Sequence, residues 1–354
     1  MLYGVRSHPY VIYTPRWIDT SAGIKALHLL CHSLNQVGEK AYLVFSEPIH
    51  GDEPRFNPNL MTPIFTQEIA NAYFSSGITP IAVYPETIPG NPLNADFIVR
   101  YLMNFVGTLG GETEFDSSEY IISYSESIGK DYSGESGSVP TLFLPAIDPR
   151  EFVFNGLKKG YQVVYAAKYR LFVGEPPRIG TLKNIEIIRD GPKRQSRLQV
   201  RKLISEASIV YVFENTAIII ESILSGTPVV LVKNSFFKSV IADEELGLHF
   251  SAEDDLSEIP SARIESNEKS RFIYLQSIEI FFQKLDEFVT KTQDLAKTRK
   301  VKQPLLVPTF SGSPLTTHRM RLALQIFKNL GLFPLLRISY YFVLRTVTEK
   351  FRSR

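Results

Sequence analysis

The feature that most constrains the fold is an alternation of short β-rich runs with helical patterns, which occurs twice along the chain. In such an alternation each strand is followed by a crossover helix, and the strands form a parallel sheet covered by helices. The first series occupies residues 1–150 and the second occupies residues 151–317. We therefore predict an α/β protein of two Rossmann-like domains, since 354 residues suffice for two cores.

The first series contains both strand and helix signals. Strands are predicted over residues 10–13, 41–45, 78–84, 120–124 and 141–144. Helices are predicted over residues 24–37, ending at Gly38, and over residues 94–105, because apolar side chains recur there at helical spacing.

The second series repeats the pattern. Strands are predicted over residues 162–165, 185–188, 209–213 and 229–232, with helices near residues 197–205 and 216–224. The uninterrupted apolar run 228–232 is typical of a strand buried on both faces of a parallel sheet. A long amphipathic helix over residues 271–296 then finishes the second domain.

Charge and cysteine content exclude several classes of protein. The 39 basic and 37 acidic residues nearly cancel, so no overall field favours nucleic acid. The single cysteine, Cys31, lies in an apolar helical pattern, where it can form neither an internal disulfide nor a cysteine zinc site. The chain lacks a signal-like leader and an uninterrupted apolar segment of spanning length, so we expect a cytoplasmic protein that does not span a membrane.

Residues 318–354 form a basic tail, with eight Lys or Arg against one acid, Glu349, interleaved with apolar side chains. A basic amphipathic helix of this kind can lie on the inner face of the plasma membrane. The same pattern fits a helix that packs on the core and exposes its basic face to water. The sequence leaves both interpretations open.

The most informative segment runs from a predicted strand into a predicted helix at Glu214, Asn215 and Thr216. Asn215 or Thr216 can cap this helix, whose first free N–H groups attract a phosphate. Glu221 follows in the helix, where a carboxylate can accept hydrogen bonds from ribose or sugar hydroxyls. A capped helix with a solvated glutamate, ended by Gly226, fits the same pattern.

This segment, with its Ser-Gly-Thr-Pro-Val-Val end at residues 225–230, resembles the donor site of GT-B glycosyltransferases, especially the retaining family-4 type that makes bacterial surface polysaccharides. Six residues separate Glu214 from Glu221, whereas the family usually has seven. The resemblance implies that Glu221 binds ribose and that Glu214 is a catalytic residue near the sugar. It also implies that Asn215 and Thr216 surround the diphosphate.

Five further residues are candidate donor ligands by the same resemblance. Ala22 and Gly23 lie at the start of the first helix. They correspond to the small-residue loop that faces the donor phosphates in GT-B enzymes. Lys168 follows a strand where these enzymes place a cation that stabilises the leaving diphosphate. Arg189 and Gly191, in the run 189–192 after another strand, are candidates for the lip that contacts the base or phosphates.

The loop 84–92 contains three prolines and Gly90 beside a sheet edge, where binding sites collect. Glu86 and Asn91 are candidates for the acceptor side of the site. A purely structural loop fits the sequence equally well.

Taken with the resemblance, these residues imply two domains facing each other across a cleft, the first on the acceptor side and the second binding a nucleotide sugar, followed by C-terminal helices. The implied reaction transfers a sugar from a nucleoside-diphosphate sugar to a hydroxyl of a glycan or polyprenyl-linked glycan, with retention. We expect no cofactor and no metal, since His28 and His32 have no third ligand and no Asp-x-Asp triplet occurs. The alternatives are a nucleotide-sugar epimerase of the same fold and a catalytically degenerate GT-B subunit that only binds or scaffolds.

Overall fold

The computed structural model describes residues 8–48, 55–134, 139–152, 158–179, 182–189, 193–250 and 261–309. These residues form two compact units. The first unit comprises the described residues through Ala146 together with those from Ile278 onward. The second comprises the described residues from Ile147 to Ser277.

The first unit is built on a parallel sheet of five strands in the order β2-β1-β3-β4-β5. The strands are β1 (Tyr10–Thr14), β2 (Ala41–Phe45), β3 (Ile81–Pro85), β4 (Ile98–Leu102) and β5 (Tyr120–Ser123). The helices are α1 (Ala22–Gln36), α2 (Gln67–Ser75) and α3 (Glu126–Ser133). The strand order reverses direction beside β1, which is the topology of a doubly wound sheet.

Alternate strand residues of this sheet form two apolar clusters, one on each face. Helices cover both faces because each cluster must be shielded from water. One cluster joins Tyr10, Ile12 and Val83 to α1 and to the C-terminal part of a long helix, α8 (Ser261–Lys297). The other joins Val11, Ala82 and Tyr84 to the side of the sheet that α2 covers. Burial on both faces explains why β1 and β3 are largely apolar strands.

The second unit is built on a parallel sheet of four strands in the order β7-β6-β8-β9. The strands are β6 (Lys159–Tyr165), β7 (Lys183–Glu186), β8 (Ala207–Val212) and β9 (Val229–Leu231). The helices are α4 (Ala167–Phe172), α5 (Arg197–Glu206), α6 (Ile218–Leu224), α7 (Asp243–Leu246) and the first part of α8. Parallel strands place the residues that follow β6, β7, β8 and β9 along one edge.

The predicted fold class, α/β with two Rossmann-like halves, is confirmed by these two parallel sheets. Cys31 is buried in the core of the first unit, as predicted. The helix predicted over residues 24–37 is α1, and Gly38 follows it with φ 88°. The long C-terminal helix is also confirmed, although α8 begins ten residues earlier, at Ser261 instead of Arg271.

The helix predicted over residues 94–105 is wrong, because this stretch contains strand β4. Phe97, Val99 and Tyr101 pack into one apolar cluster, while Ile98 lies against the other. This alternation has a period of two, and it was mistaken for helical spacing because the side chains on both faces are large and buried. Helices α2 and α3 were not predicted.

None of the helices in the described ranges is long and apolar enough to cross a membrane. The basic tail 318–354 lies outside the described residues.

Candidate functional site

Glu214 lies two residues after the end of β8 and is buried. It accepts hydrogen bonds from the start of the neighbouring helix α4. Its Oε2 accepts hydrogen bonds from the backbone N–H groups of Lys168 and Tyr169, the latter at 3.0 Å. The residue is only 1% exposed, and its Oε1 has no hydrogen-bond partner among the described residues. Burial raises the pKa of this carboxyl group, while Lys168 and the two backbone bonds oppose the shift. Glu214 therefore carries an unmet acceptor at the carboxyl edge of the sheet.

Lys168 and the β8–α6 turn form one connected group. The Lys168 Nζ donates to the carbonyl oxygen of Asn215 at 3.3 Å. The Thr216 Oγ1 accepts from the backbone N–H of Ile218 at 3.3 Å. The N-cap residue of α6 is Ala217, so neither Asn215 nor Thr216 occupies the predicted N-cap position. The Asn215 amide instead bonds the backbone of a different loop, at Ser239 and Ile241.

Glu221 and Arg189, two candidate nucleotide ligands from separate parts of the sequence, form an ion pair. The Arg189 Nη2 lies 3.6 Å from the Glu221 Oε2, and the side chains are 12% and 10% exposed. Glu221 is thus a largely buried carboxylate, which rules out the solvated glutamate of the alternative interpretation. Gly191, the other residue predicted for this lip, lies outside the described residues.

In the first unit, Ala22 and Gly23 form the start of α1 beside the carboxyl end of β1. The Ser21 Oγ caps the helix by accepting from the backbone N–H of Ile24 at 3.4 Å. Ala22 is exposed, and a Cβ placed on Gly23 would meet nothing within 4 Å. Space is therefore open at this helix start, as a site that admits a ligand requires.

Glu86, directly after β3, is a buried carboxyl group. It is 3% exposed, and its Oε2 accepts from the backbone N–H of Met103 at 2.9 Å. Burial raises its pKa to about 7, against weaker opposing effects of backbone hydrogen bonds and Arg100. The group changes its charge near neutral pH, which is the behaviour of carboxyl groups at many functional sites.

Asn91 holds its own loop together. Its Oδ1 accepts from the Tyr84 hydroxyl at 3.0 Å and from the backbone N–H of Ala95 at 2.8 Å. Its Nδ2 donates to the Ala95 carbonyl oxygen at 2.9 Å. Because these bonds stay within the loop, Asn91 is a structural residue of the loop.

Sequence reasoning missed Arg100, which organises the same loop from within the sheet. The fully buried guanidinium forms two hydrogen bonds with Glu119, at 2.8 and 2.9 Å. It also donates to the carbonyl oxygens of Ile88 and Gly90, at 2.6 and 3.1 Å. One signal pointed to it: Arg100 interrupts an otherwise apolar run, and a charge at such a position needs partners.

Gly111 allows a second loop to lie directly on Glu86. A Cβ at Gly111 would lie 2.2 Å from the Glu86 carbonyl oxygen, and its φ of 93° is one that L side chains rarely adopt. Gly111→Ala should therefore lower the free energy of unfolding by about 1–3 kcal/mol. Gly23→Ala, where no contact arises, should leave stability unchanged or slightly raised in parallel denaturant titrations. Equal stabilities for the two variants would contradict this account.

Two further features of the described residues bear on other sites. No group of three or more His, Cys, Asp or Glu is placed to hold a metal ion among them. A cavity of about 210 Å³ in the first unit is lined by residues of β5, of α8 and of the segment 140–142, including Tyr120, Phe288 and Leu142. None of the candidate site residues lines it.

The fold and site define a two-unit α/β protein whose second sheet carries buried carboxylates and cations along its carboxyl edge. In such sheets ligands bind beyond the carboxyl ends of the strands. A cationic edge with two carboxylates can bind an anion that also carries hydroxyl groups.

Comparison with known proteins gives matches among solved structures alone. No family model matches the chain, and no curated protein matches it. It is similar to the glycosyltransferase SnogD from Streptomyces nogalater, with 12% identity, a TM-score of 0.39 and coverage of 82% of this chain and 99% of that one.

Two other glycosyltransferase structures resemble it to the same degree. An alpha-glucosyltransferase in complex with UDP has 12% identity, a TM-score of 0.41 and coverage of 82% and 100%. WaaG, a glycosyltransferase involved in lipopolysaccharide biosynthesis, has 11% identity, a TM-score of 0.38 and coverage of 81% and 96%. At these identities the similarity assigns neither a substrate nor a reaction to this chain.

Proposed function

We propose that this protein is a glycosyltransferase that binds a nucleoside-diphosphate sugar at the carboxyl edge of its second sheet. The observation that carries the proposal is the ion pair between Arg189 and Glu221. Both residues were selected as nucleotide ligands from the sequence, and they come from separate elements. Lys168 and Glu214 contact each other's segments at the same edge.

Each residue has a role that follows from its chemistry. Glu221 accepts hydrogen bonds from the ribose hydroxyls, and Arg189 orients its carboxylate. Lys168 places a positive charge beside the diphosphate, which gains negative charge as the glycosidic bond breaks. The unmet Oε1 of Glu214 accepts a hydrogen bond from a hydroxyl of the donor sugar.

The finer assignments rest on the sequence resemblance. They are a hexosyl donor, retention of configuration without a metal, and a glycan or polyprenyl-linked acceptor in surface polysaccharide synthesis. The first unit would bind the acceptor near the loop of Glu86. The basic tail would place the protein on the inner face of the membrane.

Glu221→Ala tests the donor site. A carboxylate that bonds ribose hydroxyls contributes about 1.5–3 kcal/mol, so the variant should bind the donor about 10-fold to 100-fold more weakly. Calorimetry with UDP-, ADP- and GDP-sugars measures this, after a thermal-shift screen of the same panel. Glu175→Ala removes an exposed carboxylate of the same unit and serves as the control. Undiminished affinity in Glu221→Ala would refute the ribose role.

A second candidate function, a binding subunit without catalysis, is favoured by the engagement of Glu214 with the start of α4. Such a subunit would bind a sugar nucleotide without consuming it. Turnover of the bound donor by the wild-type protein, lost in Glu214→Gln, would exclude this candidate. An epimerase would instead convert the donor with no acceptor present, which product analysis detects.

A further inference from the structure

The loop between β9 and α7, residues 233–242, is fixed to the end of β8 by the side chain of Asn234. The Asn234 Nδ2 donates to the carbonyl oxygens of Phe213 and Val232, at 3.0 and 2.9 Å. Its Oδ1 accepts from the backbone N–H groups of Phe236 and Phe237, both at 2.9 Å. One amide therefore uses all of its hydrogen-bonding capacity to shape this loop.

Asn215 attaches the far end of the same loop to the β8–α6 turn. Its Nδ2 donates to the Ser239 carbonyl oxygen at 2.9 Å, and its Oδ1 accepts from the backbone N–H of Ile241 at 2.8 Å. The carbonyl oxygen of Asn215 is also the acceptor for the Lys168 Nζ. The loop, the turn and Lys168 thus form one hydrogen-bonded assembly at the carboxyl edge.

The loop carries two exposed lysines, Lys233 and Lys238. No acidic residue lies between them, and the nearest ones that follow in the chain are Asp243, Glu244 and Glu245 in the first turn of α7. The Lys233 Nζ lies over the Phe250 ring, 5.8 Å from its centroid. Lys238 directly precedes Ser239, the residue bonded by Asn215, and it forms no ion pair with the described residues.

We propose that Lys238 is a further ligand of the nucleoside diphosphate and that Asn234 is the positioning residue that holds its loop in place. The inference rests on the proposed donor site, because Lys168 is the cation assigned to the diphosphate there. A loop fixed in advance loses little conformational entropy when the ligand binds, so its cation contributes more of its interaction energy to affinity.

Lys238→Ala tests the ligand role. UDP, ADP and GDP are titrated by calorimetry, and the one that binds is compared with its own nucleoside. Loss of one charged hydrogen bond to phosphate should weaken the nucleoside diphosphate about tenfold and leave the nucleoside unchanged. Lys238→Arg should retain most of the affinity. Lys183→Ala, an exposed lysine at the amino end of the same sheet, should match the wild type.

Asn234→Asp tests the positioning role, because it keeps the acceptor of the amide and replaces its donor by an oxygen. Hydrogen exchange should rise in residues 233–242, and the diphosphate should bind more weakly. If Asn234 acts through Lys238, the double variant with Asn234→Asp and Lys238→Ala should bind the diphosphate about as weakly as Lys238→Ala alone. Full additivity would overturn the positioning role.

The outcomes separate this inference from the proposed function. Wild-type binding that Lys238→Ala leaves unchanged overturns the inference alone. Equal weakening of the nucleoside and its diphosphate also overturns it, because the lysine would then not act on phosphate. Absence of binding by the wild-type protein to every nucleotide and sugar nucleotide tested overturns both.

Discussion

Arg100→Ala is expected to lower the free energy of unfolding by about 3–5 kcal/mol, because it leaves a buried carboxylate without its cation. The Glu119 side chain is only 6% exposed and receives two hydrogen bonds from the guanidinium. The carbonyl oxygens of Ile88 and Gly90 lose their donor in the same variant. Urea titration followed by tryptophan fluorescence measures the change, since Trp17 belongs to the same unit.

An exposed ion pair of the same unit provides the control. Lys130 and Glu126 lie one helical turn apart in α3, and their side chains are more than half exposed. Lys130→Ala should therefore change stability by less than about 0.5 kcal/mol. Arg100→Lys should fall between, since lysine keeps the charge and cannot form the paired bonds. A loss in Arg100→Ala as small as in Lys130→Ala would show that the loop does not depend on Arg100.

Glu86→Gln is expected to stabilise the protein at pH 8 much more than at pH 4.5. In the folded protein the pKa of Glu86 is about 7, against an ordinary value of 4.5. Between these two values the folded state holds the proton more tightly than the unfolded state, so the stability of the wild type falls as pH rises. The full difference corresponds to about 3 kcal/mol, and glutamine removes it because it has no charge.

Unfolding titrations of wild type and Glu86→Gln at pH 4.5, 6 and 8 measure this divergence. The gap between the two should widen through pH 7 and then remain constant. Glu114→Gln, which replaces an exposed carboxylate of the same unit, should follow the wild type across the series. A gap that does not change with pH would mean that Glu86 is not held neutral by burial.

The sequence predicted the helices and strands best where the spacing of apolar residues agreed with the positions of glycine and proline at element ends. All four strands of the second sheet and helix α1 overlap their predicted ranges, although β7 shares only two residues with the strand predicted over 185–188. Strand β4 was missed because both of its faces are buried, so large side chains follow one another and hide the period of two. Helix α2 was missed because it is short and only one of its residues is buried, which leaves little apolar signal.

The site was predictable at the level of residue types and less so at the level of contacts. The strand-to-helix turn after residue 213 identified Glu214 and Glu221, because parallel strands bring such turns to one edge, and the family resemblance identified Lys168. Nothing in the spacing indicated that Glu221 pairs with Arg189, since that contact joins elements distant in sequence. The bonds of Asn234 likewise depend on how one loop lies against another strand.

The bonding of Glu214 has a consequence for how any anion is held in the second unit. The first backbone N–H groups of α4 already have an acidic partner from within the chain, so they are not free to receive a phosphate. At α4, attraction must then come from side-chain cations such as Lys168, whose electrostatic attraction weakens as ionic strength rises. We therefore expect nucleotide affinity to fall steeply between dilute buffer and high salt, more steeply than for a site lined by peptide dipoles.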